Sequence, residues 1–539
     1  MTATIDPALP ATHPTSTATP TAGRSSSQPG PGDSPGRHSP ADHAPHDAAS
    51  LVETHSIDWI PDSERTGRVR NLGSIWFVGN INLTAMSTGT AAILFGAGLF
   101  WTIVATVLGS IFGTFFMAFH SAQGPQLGLP QLVQSRPQFG YLGAAVTVWI
   151  FALINYIAFN TSDAILSGAA MHSVFGIDSS LGFVIAAAGA GAIALLGYKW
   201  IHRFNKVLTV PLVLVMVLLT VAAFSNTGLA LDAFAPGPFE LGSFMTVFVI
   251  MAGFQLGWAP YVSDYSRYLP ASSSVRSTFW WTYLPSLISG VWVFILGAVM
   301  SAAMPGADPI TAFRDAADNL FPGCGLIVMI ALLLGALSIM SLNQYGGSLT
   351  MISIRDSFKP IVPTRRIRVV TILAMSVIAW AIATFVGVDR FDMFYGNTLI
   401  FLAYLFTPWT AINLADYFFV RKGLYVIGEI FNPRGIYGRW GWRGQTAYAI
   451  GILAMIPFMV TDPFTGFGAE ALGGVDYSLF IGLAVSGIAY LLLARTLDLT
   501  AERRLVAAEG VLDMHGLTPA ETPAPDGSTA ADKGTEPDS

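Results

Sequence analysis

Asp163 occupies the most demanding position in this 539-residue sequence. It sits in an apolar run, residues 141–170, together with Asn155, Tyr156, Asn160 and Thr161. In a helix, Asn160 and Asp163 are three apart and share a face, and Tyr156 lies one turn before Asn160. A charge placed deep in hydrocarbon costs on the order of a few kcal/mol or more, so Asp163 must be partnered, protonated or beside a cavity. The plain alternative is that the helix ends early and Asp163 sits in a wet vestibule.

Three other runs carry polar groups where apolar ones would be cheapest. Residues 323–350 hold Ser338, Ser341, Asn343, Gln344 and Tyr345, followed by Gly346 and Gly347. Residues 72–96 hold Gly79, Asn80, Asn82, Thr84, Ser87 and Thr88. Residues 243–264 hold Gly253, Gln255, Gly257, Trp258 and Pro260, and the proline removes one helical hydrogen bond. Irregular, polar backbone at membrane depth is tolerated only where it lines a cavity or is buried in protein.

The elements that position these groups follow from composition. The chain is 53% hydrophobic and 11% charged, against about 25% charged in soluble domains. Each apolar run approaches the roughly 20 residues that cross a bilayer as a helix, and the short alternating segments of a barrel are absent. The predicted class is an all-α polytopic membrane protein with twelve transmembrane helices. The runs are 72–96, 98–120, 141–170, 181–198, 207–227, 243–264, 279–303, 323–350, 369–387, 391–418, 445–461 and 477–494. The two interrupted runs, first and sixth, are five apart, as are the polar third and eighth. That spacing predicts a five-plus-five inverted repeat whose broken helices 1 and 6 meet at a midplane site. Gly and Ser serving close helix packing alone is the competing explanation.

Charge supports the count. With both termini cytoplasmic, every Lys and Arg outside the tails falls on the inner side except Arg314 and Arg390. The expected location is the plasma membrane. Residues 1–60 and 506–539 are polar, poor in large apolar side chains, and read as disordered cytoplasmic tails flanking a transporter domain over 70–500. The tail histidines His38, His43, His46 and His55 are irregularly spaced for a metal, and a single cysteine, Cys324, excludes an internal disulfide. His120, His172 and His202 fall near loop edges, and no nucleophile–base pair lies within a run, so an enzyme is not expected. Nor are a cofactor, a bound metal or a nucleic-acid partner; the expected partners are the bilayer and a small solute. Asp264 and Arg267, at the inner end of the sixth run, read either as an inner gate pair or as a positioning salt bridge. Asp416 and Arg421 read as structural.

Over residues 70–500 the chain resembles the nucleobase:cation symporter-1 family, within it the purine-cytosine permease branch. The likeness rests on Trp76 through Gly89, and on Gly124-Pro125-Gln126 with Ser135-Arg136-Pro137-Gln138-Phe139-Gly140. It rests further on Gly257-Trp258-Ala259 with Ser263-Asp264-Tyr265-Ser266-Arg267-Tyr268, and on the Asn-containing eighth run. The resemblance implies twelve helices, ten forming the inverted-repeat core and two peripheral, in a symporter for a nucleobase such as cytosine or a purine. Same-fold alternatives are hydantoin, allantoin, thiamine or an amino-acid-like solute. It implies a planar ring held between Tyr156 and Trp258, with Gly257 offering backbone and Asn160 and Asn343 reading the edge; Gln255, the buried amide of the sixth run, is expected at the same substrate site. A carboxamide suits an edge of alternating donors and acceptors, and Asp163 could pair with a ring N–H. For coupling, the resemblance points to Gly79, Asn82, Ser338 and Ser341 around a cation. Leu342 stands where sodium-coupled relatives place a second hydroxyl, which favours H+ over Na+ with Asp163 as carrier.

Overall fold

The computed structural model describes residues 58–509 apart from 226–228, 230, 360, 362–363 and 462–463. The tail histidines and nearly all of both tails lie outside the described residues, as does the side chain of His202. The described chain is helical, with one isolated β-bridge between Val460 and Thr465. Its helices are α1 (Arg70–Gly79), α2 (Leu83–Ile93), α3 (Gly98–Ser121), α4 (Tyr141–Phe175, with a π-turn over Ala145–Trp149) and α5 (Ser179–Leu196). They continue as α6 (Tyr198–Ser225), α7 (Leu241–Leu256), α8 (Val275–Ala303), α9 (Pro309–Asp318) and α10 (Cys324–Phe358). The last are α11 (Arg365–Val386), α12 (Phe391–Val420), α13 (Trp442–Met455), α14 (Ser478–Ala494) and α15 (Thr500–Glu509). Helix α15 enters the segment read from sequence as the start of the C-terminal tail.

Nine helical segments among the described residues are long and apolar enough to cross a membrane, the sixth run among them as Leu241–Ser266, which continues α7 past Leu256. The three other predicted runs take shorter forms. The first is split into α1 and α2, and the last two are the 14-residue α13 and the 17-residue α14. Several starts carry a cap that satisfies otherwise free N–H groups: Asp178, Ser274, Asp308 and Thr364 each accept from the first turn of the helix they precede.

Helix contacts repeat with an offset of five segments. The second segment packs on the sixth (α3 on α7) as the seventh packs on the first (α8 on α2). Helices α4 and α5 pair as α10 and α11 do, and α5 meets α10 as α11 meets α4. The related pairs share a device. A Cβ at Gly109 or Gly113 of α3 would stand 2.5 and 2.3 Å from carbonyl oxygens of Phe248 and Ala252 on α7. One at Gly89 of α2 or Gly297 of α8 would stand 1.9 and 2.0 Å from those of Phe294 and Met86. Small residues let helix axes approach where lipid offers no hydrophobic drive. Close packing and the repeat are therefore one design. Helices α13 and α14 pack on each other and on α12, outside the repeat.

Candidate functional site

Asn82 makes the break in the first segment. Its backbone is extended (φ −151°, ψ 166°), its side-chain oxygen accepts from Ala85 N at 2.8 Å, and its amide nitrogen donates to Gly79 O at 2.9 Å. One asparagine thus ends α1 and starts α2 by supplying partners the helix has dropped. In the sixth segment α7 ends at Leu256, and Pro260, lacking an N–H, sits in a single 3-10 turn, Ala259–Tyr261. Asn155 of α4 donates to Gly257 O at 3.4 Å, and the two breaks are joined directly: Trp258 Nε1 donates to Asn80 Oδ1 at 3.2 Å.

Between the breaks, α4 and α10 lies a cavity lined by Asn82, Thr84, Phe159, Asp163, Phe254, Trp258, Tyr261, Ile339 and Asn343. Asp163 accepts from the hydroxyl of Thr84, the second residue of α2, so it also faces the positive end of that helix. Its Oδ2 is buried and has no hydrogen-bond partner among the described residues. Asn160 is fully buried, and neither end of its carboxamide has a partner among them. Leaving a buried polar group unpaired costs about 1–3 kcal/mol. The cavity is small, about 10 Å³, which is roughly the space one water needs. A heteroaromatic ring enters only if lining side chains move.

The expected residues do not all come together. Asn82, Asp163, Trp258 and Asn343 line the cavity, whereas Tyr156, Asn160, Gln255 and Gly257 do not. Tyr156 stacks on Tyr261 (centroids 5.1 Å apart, planes 25° apart), and Tyr261 meets Trp258 edge-on at 5.5 Å. Tyr261 therefore links the two rings that sequence suggested would sandwich a ligand. Ser338 donates to Asn205 Oδ1 at 2.5 Å, and Ser341 to Ser338 O at 2.7 Å. Asp264 accepts from Gln131 N at 2.9 Å, and Arg267 donates to Asp58 O at 3.2 Å and Tyr268 OH at 3.3 Å.

Sequence reasoning did not single out Thr84, Phe159, Phe254, Tyr261 or Ile339. Thr84 carried a signal, being one hydroxyl of the first broken run, and Tyr261 follows the proline of the second. Phe159, Phe254 and Ile339 are apolar residues at apolar positions and carried none. His120, in the last turn of α3 at a loop edge as expected, is fully buried. It stacks flat on Trp409 (4.5 Å, 2°), with Thr410 Oγ1 3.3 Å from Nε2 and Gln131 Nε2 3.1 Å from Nδ1. Aromatic stacking and two polar partners offset its burial.

Residues 59–482 match the family described as permeases for cytosine/purines, uracil, thiamine and allantoin. A putative purine-cytosine permease of Bacillus subtilis (strain 168) is 34% identical over 444 residues, covering 82% of this chain and 96% of that protein. A purine-cytosine permease of Emericella nidulans is 27% identical over 466 residues, covering 83% and 89%. Among solved structures, the chain resembles a nucleobase-cation-symport-1 family transporter in a closed conformation with bromovinylhydantoin bound. The TM-score is 0.66 at 18% identity, covering 85% of this chain and 99% of that one. At that identity the likeness speaks for the fold.

Proposed function

We propose that this chain, which belongs to the family of permeases for cytosine/purines, uracil, thiamine and allantoin, is a secondary symporter that imports a nucleobase such as cytosine or a purine by alternating access. The observation that carries the proposal is the uncommitted amide of Asn160 beside the half-paired Asp163, on one face of α4. A nucleobase has two flat faces and an edge of donors and acceptors. In this reading Trp258 and Tyr156 take the faces once Tyr261 swings out of their gap, and Asn160, Asn343 and Asp163 take the edge. Gln255 and the Gly257 backbone complete the surround. An analogue lacking an edge group leaves a buried amide unpaired and is rejected.

The coupling ion in this reading is a proton carried by Asp163. Support comes from Leu342, which stands beside Ser341 where a second hydroxyl would serve a sodium ion. The alternative uses Gly79 O, Asn82, Ser338 and Ser341 as oxygens for sodium. The arginine-rich end is placed in the cytoplasm, with all twelve segments crossing the plasma membrane, both termini inside, and Asp264 and Arg267 at the inner gate.

A second reading has its own observation. Asp163 forms no salt bridge among the described residues, so it could be the counter-ion of a cationic solute such as thiamine. Thermal-shift screening of the purified protein against nucleobases, hydantoin, allantoin and thiamine tests the proposal. Stabilisation by a purine or pyrimidine is expected, and no shift with any base sinks the assignment. Replacing sodium by choline at fixed pH should leave uptake unchanged; loss of uptake would reinstate sodium. Asp163→Asn should abolish binding of a cationic solute while sparing that of a neutral base.

A further inference from the structure

Helix α8 contributes no residue to the cavity lining, yet it touches both breaks through one polar strip, Ser286, Ser289 and Gly290, just past Pro285. Asn80 Nδ2 donates to Ser286 O at 2.9 Å, to Ser286 Oγ at 3.1 Å and to Ser289 Oγ at 3.2 Å. Ser286 Oγ donates in turn to Gln255 Oε1 at 3.2 Å, and Ser289 Oγ to Pro285 O at 2.9 Å. At the other end of the Asn80 amide, Oδ1 accepts from the Trp258 indole.

At Asn80 the directions are forced. An indole nitrogen only donates, so the Asn80 oxygen must face Trp258 and its nitrogen must face α8. The Ser286 hydroxyl accepts from Asn80 and donates to Gln255 Oε1, with Met117 Sδ at 3.7 Å as a second acceptor. A chain of bonds thus connects Trp258 through Asn80 and Ser286 to Gln255. Asn80, Gln255, Ser286 and Ser289 are each 1% exposed or less. Gly290 makes room for the two amides, since a Cβ there would lie 2.2 Å from Gln255 Nε2 and 3.4 Å from Asn80 Nδ2.

We infer that Ser286, Ser289 and Asn80 are positioning residues that set the plane of the Trp258 indole and the rotamer of Gln255, so that α8 determines solute selectivity without touching the solute. The inference rests on the proposed transport function and adds a selectivity element to it. A ring stacked on Trp258 is read at its edge by α4 and α10, and a turn of the indole plane moves that edge relative to Asn160 and Asn343. Bases differing in one exocyclic group are discriminated by such alignment. Loss of the strip should therefore reorder them rather than weaken all alike.

The test is competition among nucleobases for uptake by wild type and by Ser286→Ala, Ser289→Ala and Gly290→Ala, with Trp258→Phe marking loss of the indole donor. The ratio of apparent affinities for two bases is expected to change by about tenfold in Ser286→Ala, the discrimination one hydrogen bond supplies, and in the same direction as in Trp258→Phe. A folded Ser286→Ala protein whose base ranking stays within about twofold of wild type would overturn the inference, because a merely structural role lowers transport of all bases equally. Should one variant not fold, the remaining two carry the comparison. A second readout is the 19F resonance of 5-fluorotryptophan at position 258, assigned by its loss in Trp258→Phe. It should shift or split in Ser286→Ala, and an unmoved resonance counts against the inference. If wild type transports no nucleobase, the transport reading fails by itself and the 19F measurement still decides whether α8 sets the indole.

Discussion

Asp163 and Asp416 are buried to the same degree, 1% and 0% exposed, and their surroundings differ in kind. Asp416 accepts from Gln138 Nε2 at 2.6 Å, Tyr425 OH at 2.9 Å, Tyr490 OH at 2.8 Å and the Arg421 guanidinium. Arg421 is shared with Glu502 of α15 (2.9 and 3.2 Å), and Tyr437 OH donates to the same Glu502 at 2.8 Å. Burial pushes the Glu502 carboxyl up, and Arg421 pulls against that. Asp163 accepts from the Thr84 hydroxyl with the Asn343 side chain also close to its carboxylate, and its Oδ2 has no hydrogen-bond partner among the described residues. A buried charge that is fully paired holds elements together, here α12, α14, α15 and the segments carrying Gln138, Tyr425 and Tyr437. A buried acid kept half-paired contributes little to the fold and remains free to take a proton or a solute N–H. In the proposed reading, pairing rather than burial separates a strut from a site.

The contrast can be broken in order of size. Arg421→Met should cost about 3–5 kcal/mol, because Asp416 keeps its burial and loses its cation. Thermal unfolding and size-exclusion profiles in detergent would register it, and an unchanged melting temperature would remove Asp416 from the structural class. Asn160→Ala should weaken the preferred base by about 10- to 100-fold through one or two lost hydrogen bonds, with melting nearly unchanged. Uptake competition measures the first and thermal unfolding the second; equal loss in both would make Asn160 a packing residue. Asp163→Asn preserves shape and can still accept from Thr84. Folded protein is expected, with accumulation against a gradient reduced by more than about tenfold, equivalent to ~1.4 kcal/mol of coupling, while base exchange persists. Accumulation at wild-type level would remove Asp163 from the coupling role. The smallest effect should come from Glu502→Gln, about 0.5–1 kcal/mol of stability with selectivity intact, since Asp416 retains Arg421. A changed base ranking there would mean that α15 communicates with the cavity.

The two regions also differ in what could be read from residues alone. Asn160 and Asp163 stand out because a run of apolar neighbours makes any polar group conspicuous and because three residues is a helical neighbour distance. Asp416 and Arg421, five apart at the end of a run, were legible as structural. Their partners were not, since Gln138, Tyr490 and Glu502 lie 278, 74 and 86 positions from Asp416 in the chain.

Local properties of the sequence therefore determined the helical membrane class, the positions of the apolar runs, and the two interruptions five runs apart. Hydropathy, proline and glycine act on the residues beside them. Tertiary structure alone decided which polar groups are consumed and which are left over. The amides of Asn80 and Asn82 look alike in the first run; one is spent on α8 and Trp258, the other on capping α2. Asn160 looks no different from either, and its amide is spent on nothing among the described residues. Likewise Tyr261, unremarked beside Pro260, links Tyr156 to Trp258. Hydrogen-bond satisfaction is a property of pairs brought together across hundreds of residues, and such pairing leaves no local trace for a sequence to display.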